Sequence, residues 1–206
     1  MFPRSGYSTG NGYAMKNSKP ILDVKDLCKF FPIKSQGFFR KTIGWIRATD
    51  HVSFKLYRNE ILGLVGESGC GKSTTTRTVL RALEPTSGSI LFQTPEGRVD
   101  LANLTDRELR PIRKYMQMIF QDPFSSLNPR MTVGEIVSEP LKIHNLAQGT
   151  EISRRVDEML LKVGLKPEHK QRYPHAFSGG QRQRIGIARA LIMRPQFVVA
   201  DEAVSA

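Results

Sequence analysis

The 206-residue chain has only two cysteines, Cys28 and Cys70, so no disulfide framework is available and a reducing compartment is expected. No apolar stretch approaches the roughly 18–20 residues of a membrane-spanning helix. Residues 1–20 lack the apolar core of a secretory signal; rich in Gly, Ser, Asn and Tyr, they read as a flexible lead-in. The four histidines (His51, His144, His169 and His175) form no i, i+4 pair, and linear spacing shows no metal-ligand cluster and no internal repeat. Acids are scarce: 19 against 31 Lys and Arg, a net charge of +12, which favours an anionic partner. With 39% hydrophobic and 24% charged residues, the rest has the composition of a globular domain that can bury a core.

Apolar periodicity and breakers sketch the elements. Residues 21–27 and 52–56 read as strands, separated by a basic, aromatic segment at 34–47 that holds Phe38, Phe39, Trp45, Lys34, Arg40, Lys41 and Arg47 and no acid. Residues 61–65 read as a short buried strand, followed by a glycine-rich loop and a helix reaching about Leu83, with Pro85 beyond. Strands are expected at 89–93 and 116–120. Capping boxes at Thr105-x-x-Glu108 and Thr132-x-x-Glu135 open helices. Ile152, Val156, Met159, Leu160 and Val163 share one helical face, with Gly164 as the stop. Ser178 caps a helix to about Met193, and residues 197–200 make a last buried strand. The alternation predicts a mostly parallel α/β core, interrupted by a helical lobe near 124–177.

Gly66-Glu67-Ser68-Gly69-Cys70-Gly71-Lys72-Ser73 fits the phosphate-binding pattern G-x-x-x-x-G-K-[ST]. Its glycines let successive N–H groups curl around phosphate oxygens, and the following helix aims its positive end at them. Lys72 then reaches the β- and γ-phosphates and the Ser73 hydroxyl holds Mg²⁺, with Thr74 beside it. Phe197-Val198-Val199-Ala200-Asp201 supplies the acid expected at the end of another strand, as a further Mg²⁺ partner. Glu202 follows and is the candidate general base for the attacking water.

Phe177-Ser178-Gly179-Gly180-Gln181-Arg182-Gln183-Arg184 closely resembles the signature of ATP-binding-cassette (ABC) ATPases. The resemblance runs from about Ile21 to Ala206. It implies a P-loop NTPase core of the ABC type, with an antiparallel β subdomain and an inserted α-helical subdomain. It also implies a head-to-tail homo- or heterodimer, each ATP lying between one P-loop and the partner's Ser178, Gly179, Gly180 and Gln181. Gln121 matches the glutamine that contacts Mg²⁺ and water and links the site to the membrane partner. Phe31, or failing that Phe30, matches the aromatic that stacks on adenine. The stretch Gln121-Asp122-Pro123-Phe124-Ser125-Ser126-Leu127-Asn128-Pro129-Arg130, the Tyr173-Pro174-His175-Ala176-Phe177 lead-in and the 34–47 insert resemble oligopeptide/dipeptide importer ATPases.

That implies a peripheral ATPase on the cytoplasmic face of the inner membrane, working with permease subunits and, indirectly, a periplasmic or extracellular substrate-binding protein. Nickel and other small-solute importers share the pattern. A soluble ABC protein acting on nucleic acid is the rival from another class; the basic charge invites it, and no nucleic-acid partner is expected. Two departures stand out: Ala203 replaces the usual proline, and the Leu-Asp pair and switch histidine that follow in the family are not in this sequence. The chain is therefore expected to bind ATP and to hydrolyse it poorly.

Overall fold

The structure is a computed structural model that describes residues 19–35, 41–122 and 124–201. It falls into two compact units, residues 1–104 and 105–206.

The first unit is built on a four-stranded antiparallel sheet of β1 (Leu22–Lys34), β2 (Thr42–Leu56), β3 (Ser87–Thr94) and β4 (Gly97–Asp100), in the order β2-β1-β3-β4. Leu22, Val24, Leu27, Ile90, Phe92 and Leu101 are fully buried and form its apolar centre. Among the described residues its one α-helix is α1 (Lys72–Val79), and Thr49 of β2 meets Thr75 of α1 through their hydroxyls at 3.0 Å.

Three expectations are corrected here. The 34–47 segment does not separate two short strands. Among its described residues, Lys34 and residues 42–47 are strand, because Phe31, Ile33, Ile43 and Trp45 extend the alternation and the Ser35 N–H closes onto the Lys41 carbonyl at 2.8 Å. Residues 61–65 form no strand, and Ile61 is 97% exposed. A buried strand needs ladder partners, and no described strand pairs with this run. The helix after the loop ends at Val79, not near Leu83. Arg81 turns left-handed at φ 54°, and its buried guanidinium donates to the carbonyls of Leu101 (2.8 Å) and Leu104 (3.0 Å).

The second unit contains α2 (Asp106–Leu109), β5 (Met116–Ile119), α3 (Val133–Ile143), α4 (Thr150–Lys162), α5 (Gly179–Leu191) and β6 (Phe197–Ala200). Both expected capping boxes are present: Thr105 with Glu108 opens α2, and Thr132 with Glu135 opens α3. Val156, Met159 and Leu160 of α4 bury against Ile136, Val137 and Leu141 of α3 and Ile185 and Ala188 of α5, with Ile152 and Val163 at the margin. Gly164, at φ 74°, ends the α4 region as its sequence suggests. Glu151 is held down at about 2 by the side chains of Arg154 and Arg155 one turn on.

β5 and β6 pair in parallel, Met116 to Phe197 through Ile119 to Ala200. They are the only parallel pair among the described residues, so the expected mostly parallel core becomes a mixed one with a dominant antiparallel sheet. β6 is buried only at Val199, because among the described strands it has a neighbour on one side alone.

Asp106, Arg107, Arg110, Arg113, Ile143 and His144 line an open recess of about 540 Å³ in this unit. Burial holds the His144 imidazole below its ordinary range, and the charges of Lys114 and Arg110 add to the effect. A folded-state value below the unfolded one means that the unfolded chain takes up the proton first. The unit is therefore expected to lose stability as pH falls through the ordinary imidazole range. Urea unfolding of the wild type at pH 7.5 and 5.5, as round values either side of about 6.5, should show this loss, and His144→Gln should shrink it.

Candidate nucleotide site

The glycine-rich loop enters α1 through Gly71, whose φ of 95° is left-handed. No side chain caps the helix, and its first turn carries no acid. The N–H groups at this end are thus presented to an anion without a competing carboxylate. A Cβ on Gly71 would run into the Ala48 carbonyl oxygen, so glycine is required there. Gly69 is also left-handed, at φ 80°, but has open space around it.

Lys72 folds back over the loop. Its ammonium donates to the carbonyls of Gly66 (2.7 Å) and Glu67 (2.8 Å) and lies 3.9 Å from Cys70 Sγ. The charge is thereby fixed above the loop backbone. Glu67, Ser68, Gly69 and Cys70 are exposed. Ser73 and Thr74 follow in the first turn of α1, their carbonyls accepting from the hydroxyls of Thr76 and Thr78. The whole predicted phosphate-loop set, residues 66–74, is brought together here.

Phe31 and Phe30 lie in β1, both half-buried and outside the unit's buried centre. The Lys29 ammonium sits 4.9 Å from the Phe31 ring centre, and the Arg47 guanidinium 5.6 Å from that of Phe30.

In the second unit, the parallel register carries Gln121 and Asp201 to the same end of the β5–β6 pair. The Asp201 N–H donates to the Ile119 carbonyl at 3.1 Å, just before Gln121. The carboxyl ends of parallel strands are where α/β sheets hold ligands. Glu202, with Pro123 and Ala203, lies outside the described residues. Asp122 builds the turn after Gln121. Its carboxylate accepts the N–H groups of Phe124 (2.8 Å) and Ser125 (3.3 Å), and it is held below its usual range by the Phe124 N–H first and the Ser125 hydroxyl next.

Ser178 caps α5, with its Oγ accepting the Gln181 N–H (3.3 Å) and Gln181 Oε1 accepting the Ser178 N–H (3.1 Å). Gly179 and Gly180 are exposed, and a Cβ on Gly180 would meet nothing within 4 Å. This is a second helix N-terminus free of acid, with its backbone open to approach.

Sequence reasoning missed what the arginines of α5 do. Arg182 donates to the carbonyls of Pro174 (2.9 Å) and His175 (3.3 Å) and stacks 4.2 Å from the centre of the Phe124 ring. Arg184 donates to the Gly164 carbonyl (3.3 Å) and Arg189 to that of Ser126 (2.6 Å). Burial lowers the affinity of Arg189 for its proton. These cations brace the signature helix through backbone carbonyls. Linear spacing also hid a grouping of Cys28, Asp50 and His51 across β1 and β2, within 4.8 Å of one another.

Comparison with known proteins adds independent observations. The ABC transporter family profile matches residues 49–205. The chain is 52% identical over 191 residues to the oligopeptide transport ATP-binding protein AppF of Bacillus subtilis, covering 92% of this chain and 56% of that protein. It is 54% identical over 190 residues to OppF of the same organism, another oligopeptide transport ATP-binding protein, covering 92% and 59%. The glutathione import ATP-binding protein GsiA of Salmonella paratyphi A is 51% identical over 188 residues, covering 91% and 29%. The chain thus spans little more than half the length of these relatives, or less. Among solved structures, the dimeric, post-hydrolysis ATP-binding cassette MJ0796 bound to ADP and Pi superposes with a TM-score of 0.77 at 28% identity, covering 90% of this chain and 75% of that one.

Proposed function

Because the chain belongs to the ABC transporter family, we propose that it is an ATP-binding and ATP-hydrolysing subunit that energises import of peptides across the cytoplasmic membrane. The carrying observation is the loop at residues 66–73. The Lys72 ammonium is fixed over the loop carbonyls, and the uncapped, acid-free end of α1 stands next to it. Residues 21–206 would form the nucleotide-binding domain, with the helical subdomain at 124–177 and the lead-in at 1–20.

In this reading the N–H groups at residues 69–74 and the Lys72 ammonium bind the phosphates, and Phe31 stacks on adenine. Ser178, Gly179 and Gly180 bind the nucleotide of a second copy or of a related ATPase, and Gln181 holds Ser178 in its capping geometry. Glu202 takes the proton of the attacking water. Ser73, Gln121 and Asp201 offer hydroxyl, amide and carboxylate oxygens and no sulfur or nitrogen ligand, a donor set that fits Mg²⁺. When bound, Mg²⁺ would neutralise charge on the β- and γ-phosphates. No described helix is long and apolar enough to cross a membrane, so permease subunits would supply the spans.

The similarity to oligopeptide and glutathione import proteins supports a peptide cargo, delivered by a substrate-binding protein. Reconstitution with the permease tests this. ATP hydrolysis is expected to rise with peptide-loaded binding protein and to stay flat with DNA or RNA. The reverse pattern would overturn the reading.

A further inference from the structure

β3 pairs with β1 only along residues 22–28. Beyond that point, residues 29–34 of β1 and 42–49 of β2 form a two-stranded ribbon that projects past the rest of the sheet. Pro32 pairs with Trp45 and Ile33 with Gly44, so Ile43 and Trp45 share one face and Ile33 and Ile46 the other. All four are exposed, Ile43 at 68% and Trp45 at 58%. Two-stranded ribbons are marginal on their own, and large apolar side chains on both faces mark a surface that something else covers. Lys34, Lys41 and Arg47 flank them, all exposed, and the sequence has no acid from residue 34 to 47.

We propose that this ribbon docks directly on an anionic lipid surface. Charge complementarity selects that occupant: Lys34 and Lys41, with no acid in residues 34–47, are drawn to anionic headgroups, while Arg47 is paired with Asp50 at 3.5 Å. Apolar groups on both faces, Ile43 and Trp45 on one and Ile33 and Ile46 on the other, suit a fluid surface that can cover both. Trp45, with an apolar body and one N–H, belongs at headgroup depth. Among the described strands β2 is an edge strand, and this sets the limit, because its backbone groups must stay hydrated and the ribbon cannot pass into hydrocarbon.

Trp45 is the chain's single tryptophan, so its emission reports on the ribbon alone. Vesicles of phosphatidylglycerol with phosphatidylcholine are expected to shift that emission to the blue and to co-sediment the protein. Pure phosphatidylcholine vesicles should bind about tenfold less or weaker. Salt at about 1 M, where screening acts within about 3 Å, should release the protein. Lys34→Glu with Lys41→Glu should weaken binding about tenfold or more. Ile43→Ser with Ile46→Ser should remove the blue shift and leave circular dichroism unchanged, because these side chains are exposed. Equal binding to both vesicle types, or binding unaffected by the lysine reversals, would overturn the proposal. A blue shift seen only with permease-containing membranes would overturn it too, giving the ribbon a protein partner.

Discussion

Lys72→Ala is expected to lower ATP affinity by about 100-fold or more, with the circular dichroism spectrum unchanged. The ammonium is the loop's one fixed cation, and hydrogen bonds to charged groups contribute about 1.5–3 kcal/mol each. Losing the Lys72 bonds to the phosphates therefore removes at least about 2.7 kcal/mol, the equivalent of 100-fold. The fold should survive, because Lys72 takes no part in the buried apolar centre. Its bonds to Gly66 and Glu67 are local and solvent-facing. Lys72→Arg should restore little, since the planar, longer guanidinium cannot make the same compact approach to both carbonyls. Equilibrium titration with a fluorescent ATP analogue reads all three proteins.

Gly71→Ala is expected to be the most damaging single methyl in the first unit. Two costs combine. A left-handed φ costs an L-residue about 1–2 kcal/mol, and the added Cβ meets the Ala48 backbone of β2, which the sheet holds in place. The start of α1 must move, and the phosphate-facing N–H groups move with it. Loss of stability of about 2–4 kcal/mol is expected together with loss of nucleotide binding. Gly69→Ala separates the two costs. It has nearly the same φ but nothing around it, so about 1–2 kcal/mol is the whole expected effect. Urea unfolding of the two variants side by side measures the difference.

The local chemistry of the site was legible in the sequence because it depends on residue type at fixed spacing. Gly71 at the helix entry, the Ser178–Gln181 box and the two Thr–Glu boxes all stand where their neighbours put them. The amphipathic face of α4 was legible for the same reason, since one turn fixes its period. What failed depends on partners far along the chain. Residues 61–65 have the composition of a buried strand, yet strand formation needs a neighbour, and composition carries no record of one. The end of α1 was set by Arg81, whose buried bonds to Leu101 and Leu104 are about twenty residues away, while Pro85 was the only local signal. The segment at 34–47 reads from sequence as a basic, aromatic insert between strands, because its charges mask its alternation. The role of the α5 arginines was hidden from the sequence because their carbonyl partners lie 7 to 63 residues away.

The central claim is that the loop at residues 66–73 binds ATP through its backbone and Lys72. Calorimetric titration of the chain with ATP and Mg²⁺ tests it most directly. One saturable site per chain is expected, abolished in Lys72→Ala and in Gly71→Ala. A folded wild-type chain that shows no saturable ATP binding, or a Lys72→Ala chain that binds as well as the wild type, would contradict it.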